Sequence, residues 1–281
     1  MLCPIMKKLV LILGLFAWFS VAGAAPQPNA AKLRHLPPAV RQAVRQHLGD
    51  GKVERVAKTT DDDGQLNYEV TIAWDGKTRD FTFATDGKLL EREVFFEETP
   101  PEVQKTIHAT AKGITPDNIT QTTDERGATN YDVEITETGV TRDFTVRSDG
   151  ALDSIQVFLA EVPPVIQKAI RETLDNAALG SITKSMEDGE ISYDVEVTKD
   201  GQKREFSVGA NGHLQSREVS LAETPAAVQK TIQAELKESR IDEIDHETDD
   251  GESVFVVRMT QDGKTRAVNI SPAGQIVPAD P

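Results

Sequence analysis

The sequence predicts an α+β protein built from four tandem α-β-β-β-β repeats, with antiparallel meander sheets and one helix per repeat packed on one face. Three observations support this prediction. Apolar residues alternate with polar ones through residues 66–74, the pattern of a strand with one buried face. Asp75-Gly76 interrupts the alternation, and Asp-Gly between such runs favours a hairpin. Closely similar stretches follow three more times in the 281 residues.

The repeat is visible in three columns of the sequence. The aromatic of the second strand recurs at spacings of 63, 62 and 62 residues, as Tyr68, Tyr131, Tyr193 and Phe255. The third strand carries Phe81, Phe144, Phe206 and Val268, and the turn after it carries Gly87, Gly150, Gly212 and Gly274. Shared columns with one period indicate tandem repeats. We therefore place the repeats at residues 36–98, 99–161, 162–223 and 224–281, the last a degenerate cap.

Each repeat is expected to begin with an amphipathic helix. In the first, Val40, Val44 and Leu48 fall on one narrow stripe, which indicates one face laid on a sheet. The prolines that open each repeat suit the first helical turn, where a missing N–H costs nothing. Thr99 and Thr224, just before those prolines, are candidate N-caps.

A short strand then leads into an acidic loop, such as Asp61-Asp62-Asp63-Gly64 or Asp249-Asp250-Gly251. Asp and Gly dominate ordinary turns, because Asp bonds its own backbone and Gly tolerates positive φ. An EF-hand would need ligands at alternate positions and a later glutamate, which these loops lack. The favoured interpretation is therefore turn chemistry without a metal, and calcium at Asp61, Asp63, Asp249 and Asp250 is the alternative.

The first 24 residues read as a secretory signal peptide. Lys7 and Lys8 precede an apolar run at residues 9–21, and Ala22-Gly23-Ala24 supplies a small-x-small cleavage site. An uncleaved signal anchor is the alternative. Residues 25–35 are then a flexible lead-in. Cleavage removes the only cysteine, Cys3, so the mature protein is expected to have no disulfide and to be periplasmic or secreted, without membrane insertion.

The charge of the chain limits its partners. A formal net charge of −15 argues against nucleic acid, because binding to the phosphate backbone needs a basic surface. A protein partner, with a basic one among the possibilities, remains open, and so does the oligomeric state.

Catalytic chemistry is poorly supported by the sequence. There is no Gly-x-Ser-x-Gly elbow, and the histidines fall in different columns of the repeat without metal-ligand spacing. We therefore predict a protein without enzymatic activity and without a cofactor.

The repeat resembles the PepSY-like family, which includes beta-lactamase-inhibitor-like modules. The fourth repeat carries the resemblance best, in residues 224–232 (TPAAVQKTI), 241–244 (IDEI), 248–251 (TDDG), 262–264 (DGK) and 273–276 (AGQI). The resemblance implies an exported α+β binding module without catalytic residues. It also implies binding on an open sheet face, as in beta-lactamase inhibitor proteins.

The candidate partner-binding residues lie on that face. If Phe81 and Phe83 point at the helix, Asp80 and Thr82 point away. Phe95 and Phe158 fall out of phase with the apolar residues of the last strand, where an exposed aromatic could anchor a partner. Burial of both aromatics between adjacent repeats is the favoured alternative.

One further column is an arginine at the start of the third strand, which should face the apolar residue across the hairpin: Arg79, Arg142, Arg204 and Arg266. Its stem is expected to pack on apolar surface, with its head in water or paired to a carboxylate.

The sequence thus predicts an exported binding or inhibitory protein that acts on an envelope or extracellular protein partner, with a hydrolase as one such partner. An acidic ion-binding or structural envelope protein is the alternative.

Overall fold

The computed structural model describes residues 33–61, 64–123, 127–187, 189–249, 251–261 and 264–278. Within them, one helix followed by four strands occurs four times, after a 3-10 turn at Leu33–His35. The strands form antiparallel meanders, which confirms the α+β class. The predicted signal peptide (1–24) and most of the predicted lead-in (25–35) lie outside the described residues.

We call each helix with the four strands that follow it a module. Module 1 consists of α1 (Pro38–Leu48), β1 (Lys52–Thr60), β2 (Leu66–Trp74), β3 (Lys77–Ala84) and β4 (Leu89–Glu93). Module 2 consists of α2 (Pro101–Thr110), β5 (Asn118–Thr123), β6 (Thr129–Glu137), β7 (Val140–Arg147) and β8 (Leu152–Gln156). Module 3 consists of α3 (Pro164–Thr173), β9 (Ala178–Glu187), β10 (Glu190–Lys199), β11 (Gln202–Gly209) and β12 (Leu214–Glu218). Module 4 consists of α4 (Ala226–Leu236), β13 (Arg240–Asp249), β14 (Glu252–Gln261), β15 (Lys264–Ile270) and β16 (Ile276–Val277).

The described residues group into two compact bodies, an N-terminal body that ends at Asp153 and a C-terminal body that begins at Ser154. In the N-terminal body, strands β1 to β7 pair antiparallel in sequence order. In the C-terminal body, residues 154–156 of β8 pair with β9, and the same order continues to β16. Within each body, the strands therefore pair with their neighbours in chain order.

The tight hairpins follow from their turn residues. Asp75 and Gly76 both have positive φ, 46° and 82°, and Trp74 pairs with Lys77 across the two-residue loop. Positive φ at both positions is the geometry of a type I′ turn, which matches the twist of the strands. The predicted register is also found, because Arg79 faces Ile72 and Arg204 faces Val197.

Three helices begin at a proline, as predicted, and α4 begins just after Pro225, but the threonines before these prolines are not N-caps. Pro100 and Pro225 occupy the N-cap positions of α2 and α4, without side-chain caps. Thr99 and Thr224 instead donate their hydroxyls to the carbonyls of Phe96 and Leu221, both at 2.8 Å. A short 3-10 turn precedes each of these two helices, and the carbonyl of its first residue accepts both the backbone N–H and the hydroxyl of the threonine.

The core of each module lies between its helix and its strands. In module 1, Val40 and Val44 of α1 are fully buried and pack in one cluster with Val70, Ile72 and Phe83. Equivalent clusters form in modules 3 and 4. The apolar residues of each strand therefore point at the helix, and the residues between them point to the other side.

Candidate functional site: the open face of the sheets

The side of each sheet that carries no helix is the candidate site, and we call it the open face. In β2, for example, Tyr68, Val70 and Ile72 are buried on the helix side, and Glu69 and Thr71 alternate with them. Successive side chains of a strand point to opposite faces. The open faces therefore carry the carboxylates and hydroxyls of the strands.

In module 1, the structure places Asp80 and Thr82 on the open face, and both side chains have partners. The Thr71 hydroxyl donates to Asp80 Oδ1 from the facing position on β2. The Thr82 hydroxyl donates to Glu91 Oε2 at 3.2 Å. Burial raises the pKa of Glu91, although the bond from Thr82 opposes the shift. Asp80 and Thr82 are thus both held by hydrogen bonds to other residues of module 1.

In module 2, the most buried carboxylate of the open face is Asp132. Thr145 on the facing strand donates its hydroxyl to Asp132 Oδ1 at 2.7 Å, and the Thr122 hydroxyl also donates to this carboxylate. Burial nevertheless raises the pKa of Asp132 to about 6, because removal from water disfavours the charged form. Hydrogen bonds lessen this effect without cancelling it.

In module 3, Glu205 and Ser207 occupy the positions that Asp80 and Thr82 hold in module 1, each one residue from the central phenylalanine of its strand. Burial raises the pKa of Glu205 to about 7, and the nearby carboxylates of Asp194, Glu243, Glu196 and Glu218 raise it further. This carboxyl is therefore partly protonated at neutral pH.

In module 4, an arginine neutralises part of the open face. Arg258 on β14 donates to Glu243, and its Nη1 lies 2.7 Å from Asp245 Oδ2. Burial raises the pKa of both carboxyls, and Arg258 opposes the shift. A guanidinium therefore fits between two carboxylates on this surface.

Phe95 does not share a surface with Asp80 and Thr82. Strand β4 ends at Glu93, and the N–H of Phe95 donates to Glu98 Oε2 at 2.8 Å as the chain enters a 3-10 turn. The guanidinium carbon of Arg79 lies 4.3 Å from the centre of the Phe95 ring. Because Arg79 alternates with Asp80 along β3, the Phe95 ring lies on the side of the sheet opposite to Asp80 and Thr82.

Phe95 instead lines an open cavity of about 480 Å³ at the β2–β3 hairpin, together with Trp74, Asp75, Lys77 and Arg79. The indole N–H of Trp74 donates to the carbonyl of Leu48 at 2.9 Å, which fixes the ring against the end of α1. The features shared by the four repeats do not predict this cavity. The one available signal was that the other repeats carry no aromatic at the position of Trp74.

Phe158 is 45% exposed in the C-terminal body. Its N–H donates to Glu161 Oε2 at 2.8 Å, the same arrangement that holds Phe95. Phe158 is thus exposed in its body, whereas Phe95 is partly covered by the cationic side chains of Lys77 and Arg79.

These turns share a glutamate that accepts a hydrogen bond from a backbone N–H. In modules 1 and 3 this glutamate also pairs with an arginine. Arg79 pairs with Glu98 at 2.8 Å, and Arg204 pairs with Glu223 at 2.7 Å. The N–H and hydroxyl of Ser220 and the Arg204 guanidinium lower the pKa of Glu223 to about 2, against a smaller effect of burial. Arg79 and Arg204 are thus paired to carboxylates, as the sequence predicts for this column.

The acidic loops give a partial answer on ion binding. Asp61 Oδ1 accepts the N–H of Gln65 at 2.7 Å, and its Oδ2 accepts the amide of Asn67 at 3.1 Å, so both oxygens serve the turn. Asp63 and Asp250 lie outside the described residues, as does the side chain of Asp249. In the described ranges, no group of three or more His, Cys, Asp or Glu side chains could hold a metal ion.

No helix within the part of the chain that the structure describes is both long and apolar enough to cross a membrane.

Several solved structures from Bacteroides resemble the chain weakly. A BLIP-like protein from Bacteroides fragilis is 18% identical, with a TM-score of 0.30, and the match covers 42% of this chain and 84% of that one. A "putative calcium-regulated periplasmic protein" from Bacteroides thetaiotaomicron is 14% identical, with a TM-score of 0.31, covering 44% and 94%. TM-scores this low carry no argument about this chain.

Sequence comparisons give a clearer result. No curated protein matches the chain. The family model described as "Putative beta-lactamase-inhibitor-like, PepSY-like" matches twice, at residues 130–216 and 191–276. The two matches together extend over slightly more than half of the 281 residues, and the chain therefore belongs to the PepSY-like, beta-lactamase-inhibitor-like family.

Proposed function

We propose that this chain is an exported, non-catalytic binding protein that contacts an envelope or extracellular protein through the open face of its sheets. The observation that carries the proposal is the open face itself. Its strands present rows of carboxylates and hydroxyls on the side opposite the helices, as at Asp80, Asp132 and Glu205. A polar sheet face without covering helices is free to meet a partner.

The proposal includes four PepSY-like repeats, at residues 36–98, 99–161, 162–223 and 224–281. The order of one helix and four strands in each module supports this division. The two-residue strand β16 supports the view that the last repeat is a degenerate cap. The protein acts in the periplasm or outside the cell, since residues 1–24 have the pattern of a secretory signal peptide.

A hydrolase is the partner class that the family description favours, and inhibition is the activity that follows from it. Asp80 and Thr82 then belong to the contact surface of the N-terminal body. Phe95 and Phe158 are separate anchors, because each lies at the end of a last strand and not within the polar rows. An exposed phenylalanine such as Phe158 has the character of an interface anchor.

The test is capture and inhibition by the mature chain, residues 25–281. The chain is immobilised and exposed to an envelope extract, and soluble chain is added to a panel of class A beta-lactamases whose hydrolysis rates are measured. Asp80→Lys and Glu196→Lys each reverse one charge on the open face of one body. Glu172→Lys makes the same change on the helix side, in an exposed pair with Lys168.

We expect saturable binding of a partner or saturable inhibition of an enzyme. The affinity should be at least about tenfold weaker for one of the open-face variants and unchanged for Glu172→Lys. If all three variants retain the partner equally, the open face is not the binding surface. If the folded chain neither captures a partner nor inhibits an enzyme, the proposed binding function is contradicted.

A further inference from the structure

The strongest unexplained feature of the molecule is the carboxylate of Glu205 on the open face of module 3. The side chain is half-buried, and four other carboxylates lie close to it, from Asp194, Glu243, Glu196 and Glu218. Within the described ranges, no donor or cation pairs with its oxygens. Like charges at short range disfavour ionisation, so this arrangement of carboxylates does not stabilise the fold.

A second, independent feature is the hydroxyl of Ser207, two residues along β11 and on the same face. Ser207 is 6% exposed, and among the described residues its Oγ has no hydrogen-bond partner. It lies directly between Asp194 on β10 and Ser216 on β12. A buried polar atom without a partner costs free energy, and this one faces the same acidic surface as Glu205.

Module 1 shows how the same positions look when they are satisfied. There Asp80 faces Thr71, which donates to it, and Thr82 donates to Glu91. In module 3 the residue facing the acid is Glu196 in place of Thr71, and the residue facing the hydroxyl is Ser216 in place of Glu91. Thr71 and Glu91, the partners in module 1, are thus both replaced. Among the described residues of module 3, no side chain bonds to the Glu205 carboxylate, and Ser207 Oγ has no partner although Asp194 on β10 faces it.

The protein itself indicates which cation suits this surface. On the open face of module 4, Arg258 bridges Glu243 and Asp245. On that of module 1, Arg55 donates to Glu69 at 3.3 Å and to the Thr71 hydroxyl at 3.4 Å. A guanidinium has a planar fork of donors that matches carboxylates and neighbouring acceptors. In module 3, position 196 carries a glutamate where module 4 has this arginine.

We propose that Glu205, Ser207 and Glu218 form a binding site for an arginine side chain of the partner protein. The assignment rests on the proposed function, because it places one contact on the same open face. The guanidinium donates to the two carboxylates and, once the groups that cover Ser207 Oγ move aside, to that hydroxyl as well. It supplies the positive charge that the module lacks. The partner is accordingly a protein that presents an exposed arginine on a surface able to meet a flat sheet.

The test uses the ¹⁵N-labelled mature chain at pH 8. The solution contains 0.15 M NaCl, because salt largely screens interactions between distant surface charges. The probe is acetyl-Gly-Arg-Gly-amide, and the same peptide with citrulline in place of arginine keeps the shape without the charge. We expect saturable shifts of the amide signals of Glu205, Ser207 and Glu218 with the arginine peptide alone. Glu205→Gln should weaken binding about tenfold, and Ser207→Ala about threefold.

Glu172→Gln is the matched control, because it removes one carboxylate from the helix side of the same body. It should leave the affinity unchanged. Glu205→Gln is expected to fold at least as stably as the natural chain, since it removes an unfavourable charge, so lost binding cannot be ascribed to unfolding. Urea unfolding of each variant verifies this point.

Three outcomes would overturn the assignment: equal shifts with the citrulline peptide, equal affinity for acetyl-Gly-Lys-Gly-amide, or the same saturable shifts with calcium chloride alone. Shifts spread over all acidic strands would also overturn it, because they indicate general charge attraction. If the peptide fails but Glu196→Lys or Asp80→Lys still abolishes partner capture, the arginine site is wrong and the binding function stands.

Discussion

Asp132 shows how one buried carboxyl makes stability depend on pH. Burial raises its pKa from 3.8 to about 6. An acid with a raised pKa stabilises the fold below its unfolded pKa, and the contribution is lost as pH rises through the folded pKa. Asp132→Asn keeps an acceptor for the Thr145 and Thr122 hydroxyls and cannot ionise. It should raise the free energy of unfolding at pH 8 by roughly 2 kcal/mol.

The measurement for Asp132→Asn is urea unfolding at pH 8 and at pH 4. The gain should be much smaller at pH 4, where the natural carboxyl is protonated in the folded protein. An equal gain at both values would contradict the role given to ionisation.

Glu223 acts in the opposite direction. Its pKa of about 2 means that its contribution to stability is present above the ordinary value of 4.5 and is lost as pH falls through 2. Glu223→Gln should lower the free energy of unfolding at pH 7 by about 1 kcal/mol, less than the shift alone implies, because solvent screens this exposed group. Thermal unfolding at pH 7 and pH 2.5 tests it, since little difference should remain at the lower value.

The turns after the third strands are held against the helices, and Gly87 is the position that permits this. Its φ is +89°, and a Cβ there would lie 2.8 Å from the carbonyl oxygen of Ala39 in α1. Gly76 has a similar φ of +82°, with nothing within 4 Å of a Cβ. Gly76→Ala should cost about 1 kcal/mol for its backbone conformation alone.

Gly87→Ala should cost more than that, about 2 to 3 kcal/mol, because the helix must also move away from the turn. Chemical unfolding of both variants gives the comparison. Equal losses would show that contact with α1 contributes nothing.

Most elements could be predicted because their signals are local. Alternation over residues 66–74 and the Asp75-Gly76 turn determine a hairpin whatever surrounds it, and the facing of Arg79 and Ile72 follows from the loop length. The place of Phe95 could not be predicted in this way. It depends on where β4 ends, which Glu98 decides by accepting the Phe95 N–H.

The candidate site could be predicted only as a row of positions. Asp80 and Thr82 follow from the alternation, and so do their counterparts Glu205 and Ser207. Which of them have partners depends on the residues across the sheet, such as Thr71 against Glu196. This difference is visible in the sequence once the repeats are aligned by strand register. Contacts such as that of Trp74 with Leu48, 26 residues apart, are visible only in the folded chain.

The acidic character of the whole chain has a thermodynamic consequence. Burial raises the pKa of nine described carboxyls, namely Glu91, Glu93, Asp132, Glu134, Asp143, Glu205, Glu218, Glu243 and Asp245. Each disfavours the folded state more as it ionises. His47 and His246 act in the opposite direction, because burial lowers their pKa. The carboxyls outnumber the two histidines, so the folded state should become less stable as the pH rises.

We therefore expect the melting temperature of the mature chain to be several degrees higher at pH 5.5 than at pH 8. The relevant window runs from the ordinary carboxyl pKa of 4.5 to the value of about 7 for Glu205. Protonation within it also reduces the self-repulsion of a chain whose formal charge is −15 at pH 7. Calorimetry at both pH values, repeated in 0.5 M NaCl, separates the two causes, because salt screens long-range repulsion and leaves the burial of each carboxyl unchanged. A melting temperature that rises from pH 5.5 to pH 8 would show that the buried carboxyls are stabilised by contacts stronger than their loss of water.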